Sequence, residues 1–433
     1  MLCQYHPGRA MWVGVGLVAL GLFGSACDAG DGAGNWAGII SDSAGVTVVA
    51  NPAEGLWPNG EHWRVVQDLL IGQAEGDPDY MFGRIAGICV GSDGSIYVVD
   101  QLPPSIRVYS EDGTLLRTFG RGGAGPGEQG SALGPCLMGP GDTLAVPDLQ
   151  NSRVSRFAPN GSVVSLTSFD IRSGIPVRWD VSDDGRPVVQ LRFLGIVGEA
   201  AAGTPDAVAV LERDGSFGDT LLRFPSGTGV TMTSTGPKFT LAAADPVWTP
   251  TGEGGILYGY SDEYRITRYD SNGIPQLVLT KPFRQRPVTE LDQRAMTEGL
   301  RRVFQESLIE NVMGTLLFAE FYPAYFRMRL GPRGSLWVQQ VLDLSTLSED
   351  EHSRLNLVPE DPEVFLANPR LAIGAPDWDV FDPQGRFLGV VTLPARFEAV
   401  QFVGDAIYGI WRDEADVEYV MRVKVVMEGQ ASL

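Results

Sequence analysis

The chain has 433 residues, of which 44% are hydrophobic, and it carries a formal net charge of −20 at pH 7. Its 53 acidic side chains outnumber its 33 Lys and Arg residues, so the folded surface repels nucleic acid and anionic lipid headgroups, and neither is expected as a direct partner of that surface. The 54 glycines are typical of a fold with many tight turns.

The first 26 residues have the features of an export signal. Arg9 precedes an apolar run, Ala10 to Phe23, which is too short to span a bilayer comfortably. The run ends in Gly24-Ser25-Ala26-Cys27, which resembles a bacterial lipobox and implies lipidation of Cys27. The lipobox pattern prefers Leu where Gly24 stands, and the same residues suit ordinary signal peptidase. Lipidation and simple secretion therefore both remain open.

We predict a signal peptide over residues 1–26, a flexible tether over 27–45 and a folded domain over 46–433. Removing the signal, which carries Arg9 and no acid, changes the net charge to −21. The Gly-, Ala- and Asp-rich tether favours the anchored alternative. One acyl chain binds membranes only marginally, so stable anchoring needs the multiple acylation that the lipoprotein resemblance implies. We therefore expect a lipid-anchored protein of the periplasm or outer cell envelope.

Turns that contain glycine divide the folded part into repeats. Six such turns are each followed at once by an apolar strand, and their glycines are Gly94, Gly141, Gly185, Gly254, Gly334 and Gly404. Five further turns of Asp-Gly type close the repeats, at Gly113, Gly161, Gly215, Gly273 and Gln384-Gly385. Six openings and five closings predict an all-β fold, a six-bladed β-propeller, whose last blade takes its missing strand from the N-terminal side.

Two positions before each closing glycine are apolar in all five repeats. The residues four places before are Tyr109, Phe157, Leu211, Tyr269 and Phe381, and those seven places before are Ile106, Val154, Val208, Ile266 and Trp378. An offset of three puts the two side chains on opposite faces of a strand. Both faces of each sheet are therefore expected to be covered, as in blades that stack on one another.

The missing strand is predicted between Trp63 and Gly72. Leu70-Ile71-Gly72, followed by Asp77-Pro78, repeats 48 residues later as Thr118-Phe119-Gly120, followed by Gly125-Pro126. Because the later segment ends the outer strand of a blade, the earlier one is expected to be an outer strand too. Paired with the strand from Glu418 to Val426, it would complete blade six and remove an open edge.

Residues 84–120 look like an NHL repeat, and a weaker copy follows. The copy carries Asp148, Asn151, Arg153, Val154, Asn160 and Gly161 at the matching positions, and the Asp-x-x-Asn-x-Arg signature is complete there. The whole is similar to six-bladed propeller lipoproteins of environmental bacteria. That resemblance covers about residues 46–427. Some of the propellers that this chain resembles are enzymes. They are gluconolactonase-like hydrolases, which bind a divalent metal through Glu, Asn and Asp near the axis, and NHL-type lyases.

The residues themselves offer little catalytic chemistry. After export only His62 and His352 remain, and no serine stands in a Gly-x-Ser-x-Gly elbow, so no catalytic residue and no metal ligand is predicted. Asp100 and Asp148 are expected to accept hydrogen bonds from loop amides, although a divalent metal such as calcium stays open as a cofactor. The Gly-rich loop at 120–128 lacks the Lys-Ser/Thr ending of a phosphate-binding loop and is read as a connection between blades.

Cys89 and Cys136 each stand five residues before an opening glycine, so they are read as equivalent positions on neighbouring inner strands. Export makes a disulfide chemically permissible. Equivalent strands of adjacent blades are usually farther apart than the Cα separation of about 4.4–6.8 Å that a disulfide requires. We therefore expect two buried free thiols.

Long insertions are predicted at 194–205, 285–323 and 344–376, and a helix is predicted from Thr289 to Val312, with Thr289 and Asp292 as a capping box. In a four-stranded meander these connections all emerge on one rim of the ring.

The decorated face is expected to bind an envelope protein or a small acidic or sugar-like ligand, unless the helix merely covers the channel mouth. The candidate binding residues are Arg301, Arg302, Tyr322, Tyr325 and Arg327. A non-catalytic binding module is the first functional interpretation. A metal-dependent propeller hydrolase or lyase is the second, and a purely structural envelope component is the third.

Overall fold

The computed structural model describes residues 36–57, 62–182, 184–193, 204–227, 229–233, 236–348 and 371–427. They belong to one unit, Gly34–Leu433. The predicted signal peptide, Cys27, His352 and most of the predicted insertions at 194–205 and 344–376 lie outside the described residues. No helix among the residues described is both long enough and apolar enough to cross a membrane.

Seventeen strands lie within the described part of the N-terminal half of the chain. In chain order they are β1 (Ile39–Ser43), β2 (Val46–Ala50), β3 (Trp63–Ile71), β4 (Ile85–Val90), β5 (Ile96–Gln101), β6 (Pro104–Tyr109), β7 (Leu115–Phe119), β8 (Arg121–Gly122), β9 (Glu128–Gln129), β10 (Leu137–Gly139), β11 (Thr143–Asp148), β12 (Arg153–Phe157), β13 (Val163–Ser168), β14 (Ile175–Val181), β15 (Pro187–Arg192), β16 (Asp206–Leu211) and β17 (Phe217–Phe224).

The described residues of the C-terminal half add further strands and two α-helices. They are β18 (Val230–Thr233), β19 (Gly236–Leu241), β20 (Pro246–Pro250), β21 (Ile256–Tyr260), β22 (Arg265–Tyr269), β23 (Pro275–Thr280), α1 (Glu290–Val303), α2 (Glu306–Met313), β24 (Leu316–Phe318), β25 (Arg327–Leu330), β26 (Leu336–Val341), β27 (Gly374–Phe381), β28 (Phe387–Thr392), β29 (Phe397–Val403), β30 (Ala406–Arg412) and β31 (Glu418–Met427).

These strands build a six-bladed β-propeller, as predicted. Blades one to five are the antiparallel meanders β4–β7, β10–β13, β14–β17, β20–β23 and β25–β28. Blade six has the order β29-β30-β31-β3. The first strand of each blade is its inner strand, and the inner strands surround the axis of the ring, which we call the channel. Blade five is one four-stranded sheet, although a long connection separates β26 from β27.

The predicted ring closure is present. Strand β3 pairs antiparallel with β31, from Trp63 opposite Met427 to Ile71 opposite Val420. Asp68 on β3 accepts from Arg422 at 2.9 Å and lies 2.8 Å from the ammonium of Lys424. Blade six is thus completed by a strand from the opposite end of the sequence.

The paired apolar positions predicted to cover both faces of the sheets are buried. Trp378 and Phe381 of blade five, for instance, are 1% and 0% exposed and belong to different hydrophobic clusters. Trp378 lies in the cluster shared with blade six, and Phe381 in the cluster shared with blade four. Each blade therefore packs against both neighbours, as the offset of three indicates.

The predicted tether is shorter than residues 27–45. Ile39–Ser43 form strand β1, which pairs antiparallel with β2, and β2 adds in parallel to β23 at the outer edge of blade four. Ala44 and Gly45 make the turn with φ of 56° and 85°, and Val49 is fully buried. The Val-rich β2 has apolar surface to bury, which the overall Gly and Ala composition of this region obscured.

The described parts of the connections from blade three to four, from blade four to five and within blade five meet on one rim, and there they build an additional layer. Strand β19 pairs with β18 and, in parallel, with β24, and α1 and α2 pack beside this sheet. We call β18, β19, β24, α1 and α2 the cap. The hairpin β18–β19, in the connection between blades three and four, was not predicted.

The predicted helix from Thr289 to Val312 is two helices. The capping box at Thr289 and Asp292 is present, but α1 ends at Val303, and Phe304 and Gln305 are extended, with ψ of 139° and 147°. Phe304 is 5% exposed in the core of the cap, so the chain turns there to bury it. The apolar spacing from Phe304 to Ile309 is five residues, which one continuous helix cannot keep on one face.

Cys89 and Cys136 form a disulfide with a Cα separation of 5.6 Å, so the prediction of free thiols is wrong. The register explains it. Cys89 pairs with Tyr97 in blade one. The matching position of blade two is held by Leu137 and not by Cys136, because the opening glycine of blade two stands one residue farther from the strand that follows it. The shift by one residue turns Cys136 toward blade one. Gly87 lets the backbone approach, since a Cβ there would lie 2.3 Å from the Cys136 nitrogen.

Candidate functional site

The cap has a hydrophobic core of its own that continues onto blades four and five. Its centre is formed by Met296, Leu300, Phe304 and Ile309, all buried. Leu344, Leu371 and Ile373, from the connection between the middle strands of blade five, pack against them. The cap is therefore fixed on the rim by apolar contact rather than attached through its connections alone.

Tyr322 contributes to the apolar contact between the cap and the rim, and it is 5% exposed. The guanidinium of Arg286 lies 4.8 Å from the centre of its ring and also binds Asp343 at 2.7 Å and the Leu342 carbonyl at 2.9 Å. Burial raises the pKa of the Tyr322 hydroxyl well above its usual range. Tyr322 thus lies inside the cap, where its contacts join the cap to blade five, and not on the surface.

Tyr325 lines a small cavity of about 40 Å³ between the cap and the rim of blade four. Its side chain is fully buried and its hydroxyl donates to the Arg265 carbonyl at 3.4 Å. Arg192, on the same wall, binds Asp206 at 3.1 Å and lies 3.6 Å from Asp245. The volume suits a few water molecules, and the charged groups on the wall are already paired.

Arg301 and Arg302 lie on the last turn of α1 and are exposed. Arg301 is 3.8 Å from Glu310 of α2. Basic residues at this end of a helix also interact favourably with the helix dipole. Arg301 and Arg302 therefore lie on the outer face of the cap, whereas Tyr322 and Tyr325 are buried.

Arg327 lies on the inner strand of blade five, at the channel mouth. Its Nη1 is 2.8 Å from Glu398 on the inner strand of blade six, and Arg412 approaches the other carboxylate oxygen at 3.6 Å. Arg412 also binds Glu418 at 2.6 Å, and Glu418 accepts from the Ile85 amide of blade one at 2.6 Å. This network of alternating charges connects three blades across the point of ring closure.

The charge of Arg327, aided by that of Arg412, lowers the pKa of Glu398 to about 2 even though burial opposes it. The depressed pKa means that the stabilisation from Glu398 is complete above about pH 4.5 and is lost as the pH falls toward 2. Because 36% of the side chain is exposed to the channel, we expect Glu398→Gln to cost only about 1–2 kcal/mol at pH 7.

Urea unfolding at several pH values between 7 and 2.5 checks this. The stability difference between wild type and Glu398→Gln should shrink as the medium becomes more acidic, and the exposed control Glu75→Gln should show no such trend. A difference that is constant with pH would contradict the assigned charge network.

Asp100 and Asp148 bind loop amides, as expected from the sequence. Asp100 accepts from the amides of Gly83, Arg84 and Leu102 at 2.9–3.1 Å and from Arg107 at 2.9 Å. Asp148 accepts from the amides of Gly130 and Asn151 at 2.9 and 3.0 Å and from the Asn151 side chain at 2.7 Å. Within the described ranges, no group of three or more His, Cys, Asp and Glu side chains is placed to hold a metal ion.

The Gly-rich loop at 120–128 is a connection between blades one and two, as expected. Its ends form the short parallel pair β8–β9, and Arg153 holds the loop by donating to the carbonyls of Ala124 and Glu128 at 2.8 and 2.7 Å. No helix begins there, so the loop has no helix N-terminus for a phosphate.

Sequence reasoning missed two partly buried charged residues on inner strands, Asp180 on β14 and Arg329 on β25. Each stands five residues before its opening glycine, at the position of Cys89 in blade one. The sequence signal that could have identified them is a charged residue at an inner-strand position that is apolar or small in the other blades. Of the five predicted binding residues, Arg327 forms an ion pair between inner strands, with Glu398 of blade six.

No protein-family model matches the sequence, and neither does any curated protein. Several solved structures resemble this chain at TM-scores below 0.5. A presumed exported protein of Bacteroides fragilis is 9% identical with a TM-score of 0.49, covering 88% of this chain and 99% of that one. Virginiamycin B lyase of Staphylococcus aureus is 10% identical with a TM-score of 0.43, covering 84% and 100%.

A gluconolactonase of Xanthomonas campestris is also 10% identical, with a TM-score of 0.41, and the match covers 83% of this chain and 99% of that one. At identities of 9–10% and TM-scores below 0.5, these likenesses carry no argument about this chain. The blade number follows from the six sheets themselves, and the activities of these proteins are not carried over to this chain.

Proposed function

We propose that this chain is an exported, lipid-anchored β-propeller that acts as a non-catalytic binding module of the cell envelope and presents the cap to a partner. One observation carries the proposal. The connections on one rim fold into a layer with its own buried core, while the outer face of that layer stays in solvent, with Arg301, Arg302 and the 51% exposed Leu308 on it. Recognition residues are commonly displayed in this way on a rigid scaffold.

The charge on this face suggests the chemistry of the partner. Arg301 and Arg302 are adjacent cations on a chain with a net charge of −20. A partner with an acidic patch would be attracted to this face, and the rest of the surface would repel it. Anchoring through Cys27 would hold the module at a membrane, so the partner is expected in the same compartment.

Capture of partners from the native envelope tests the proposal. Wild type, the double variant Arg301→Ala/Arg302→Ala and the control Arg172→Ala, whose side chain is 76% exposed, are each used as bait. The double variant is expected to weaken binding of a specific partner by about fivefold to thirtyfold, since each of the two interfacial charges contributes about 0.5–1 kcal/mol. Equal capture by all three proteins would refute binding through this face.

The hydrolase or lyase alternative is tested by thermal unfolding with added calcium or zinc. A binding module without a metal centre is expected to keep its melting temperature. A folded metal site would raise the melting temperature as the metal concentration increases, because only the native state binds the ion well.

A further inference from the structure

A half-open cavity of about 520 Å³ lies between blades two and three. Its floor is apolar and is formed by Leu191, Ala207 and Ala209, all buried, and Ser168 and Asp170 stand at its rim. The volume falls within the range of about 300–1,000 Å³ that small-molecule sites occupy. The residues that line it belong to blades two and three and the connection between them, and not to the cap.

Two alanines open this space. Ala207 on β16 pairs directly with Leu191 on β15 and with Arg223 on β17, so the three side chains lie on one face of blade three. Ala209 pairs with Thr220 in the next row. Ala209 also belongs to the hydrophobic cluster that blade three shares with blade two, so this face is turned toward blade two. The alanines leave room there that larger side chains would fill.

The other blades with a closing glycine carry larger side chains at these two positions, which stand six and eight residues before that glycine. The corresponding residues are Arg107 and Ser105 in blade one, Ser155 and Arg153 in blade two, Thr267 and Arg265 in blade four, and Asp379 and Asp377 in blade five. The cavity is therefore a property of blade three and not of the repeat.

In blades two and five the corresponding side chains are bonded to the connection that precedes the blade. Arg153 donates to the carbonyl of Ala124 at 2.8 Å, and Asp379 lies 2.9 Å from the ammonium of Lys281. The connection that Arg153 binds carries two short strands, whereas the shorter connection of residues 169–174 contains a single turn. In the described part of the chain, neither a side chain nor a connection therefore fills the gap in front of the two alanines.

The rim of the cavity carries both hydrogen-bond donors and acceptors. The guanidinium of Arg223 donates to the Thr220 hydroxyl at 3.3 Å, and no carboxylate of the described residues lies within 4.0 Å of it. Asp214 accepts from the amide and the hydroxyl of Ser216 at 2.9 and 2.6 Å, both through Oδ1. Charged groups of both signs and several hydroxyls thus surround an apolar floor.

Phe217 forms an apolar wall of the cavity, and the centre of its half-buried ring lies 6.3 Å from that of Phe169. A wholly apolar ligand would leave Arg223 and Asp214 desolvated without partners. An anion would be repelled by Asp214 and a cation by Arg223. A neutral ring with apolar C–H faces and hydroxyls at its edge satisfies the wall and the rim together, because each hydroxyl both donates and accepts.

We propose that this cavity binds a neutral saccharide of one or two rings. An apolar face of the sugar packs on Ala207, Ala209 and Phe217, and its hydroxyls accept from Arg223 and donate to Asp214. Hydrogen bonds to charged groups are the stronger ones, so these two residues orient the ring. The site lies outside the cap, goes beyond the proposed partner binding and does not depend on it.

Calorimetric titration of the folded protein tests the site. The probes are glucose, N-acetylglucosamine, maltose and cellobiose, with acetate and methylammonium as charged controls. We expect at least one saccharide to bind with a Kd of about 1 mM or tighter and both charged probes to bind about tenfold more weakly or less. If no saccharide binds at concentrations up to about 20 mM, or if acetate binds as tightly as the saccharides, the proposal is wrong.

Matched variants then locate the binding. Ala209→Leu fills the floor of the cavity and is expected to weaken binding by about tenfold or more, and Arg223→Gln, which removes the charge, by about threefold to tenfold. Arg121→Gln, on the connection between blades one and two with a side chain that is 80% exposed, should leave binding unchanged. Binding that survives both cavity variants would overturn the assignment.

Two measurements keep the result interpretable. If Ala209→Leu does not fold, Arg223→Gln and Thr220→Val, both at exposed positions of the outer strand, still decide. Partner capture through the cap is measured on the same variants and should be unaffected, so failure of one proposal is distinguished from failure of the other.

Discussion

Loss of the closing strand is expected to abolish cooperative folding of the propeller. A protein that starts at residue 72 lacks β3, so the edge of β31 is exposed and Asp68 no longer pairs with Arg422 and Lys424. The cost should be comparable to the whole stability of a domain, about 5–15 kcal/mol, because a propeller has no other way to close its ring. Circular dichroism and urea unfolding measure it.

A rearranged chain is the matched control. Trp63 lies opposite Met427, so residues 62–71 can follow the C-terminal strand through a short turn and form a hairpin with β31. A chain of residues 72–433, a linker and residues 62–71 lacks the same N-terminal segment as the truncated protein but contains β3. It should recover cooperative unfolding. If both proteins unfold alike, the strand is not what closes the ring.

Removal of the disulfide has the second largest expected effect. Cys89 and Cys136 are 47 residues apart and join the inner strands of blades one and two. In the loop-entropy model a cross-link of this length stabilises by about 4 kcal/mol, which the double variant Cys89→Ala/Cys136→Ala should lose. Urea unfolding with and without dithiothreitol measures the difference.

Reductant provides the control for the disulfide. Dithiothreitol should reduce the stability of wild type to a similar extent and should leave the double variant unchanged. Equal urea midpoints for wild type and variant, with no effect of reductant on either, would contradict a stabilising bridge between the two blades.

The blade count and the ring closure were predictable because the signals are local and repeated. A turn that needs a positive φ selects glycine each time, as at Gly113 with φ 87°, and a strand between two stacked blades must be apolar on both faces. Ile71-Gly72 carries the same pattern as Phe119-Gly120. The repeated signal therefore revealed a pairing between distant parts of the chain.

Two of the errors share a physical origin, since each depends on one residue of register. Counting residues back from the opening glycine assigned Cys136 to the strand position that Leu137 holds, because the opening turn of blade two is one residue longer than that of blade one. Phe304 and Ile309 are five residues apart, so one continuous helix cannot bury both side chains on one face. The first helix therefore ends at Val303, although the apolar pattern in the sequence continues beyond it. A strand or helix face changes with a single residue, and composition does not report that.

The candidate site was predicted less well than the fold. The sequence correctly pointed to one decorated rim, but it could not separate Tyr322, which is buried in the cap, from Arg301, which is exposed on it.

Site-specific photocrosslinking in the native envelope tests the binding function most directly. A benzophenone amino acid is placed at Leu308 on the cap and, as a control of similar exposure, at Val164 on the outer strand of blade two, where the side chains are 51% and 58% exposed. Irradiation is expected to produce one discrete adduct from Leu308 and none from Val164. Absence of an adduct from Leu308, or the same adduct from both positions, would contradict a partner bound at the cap.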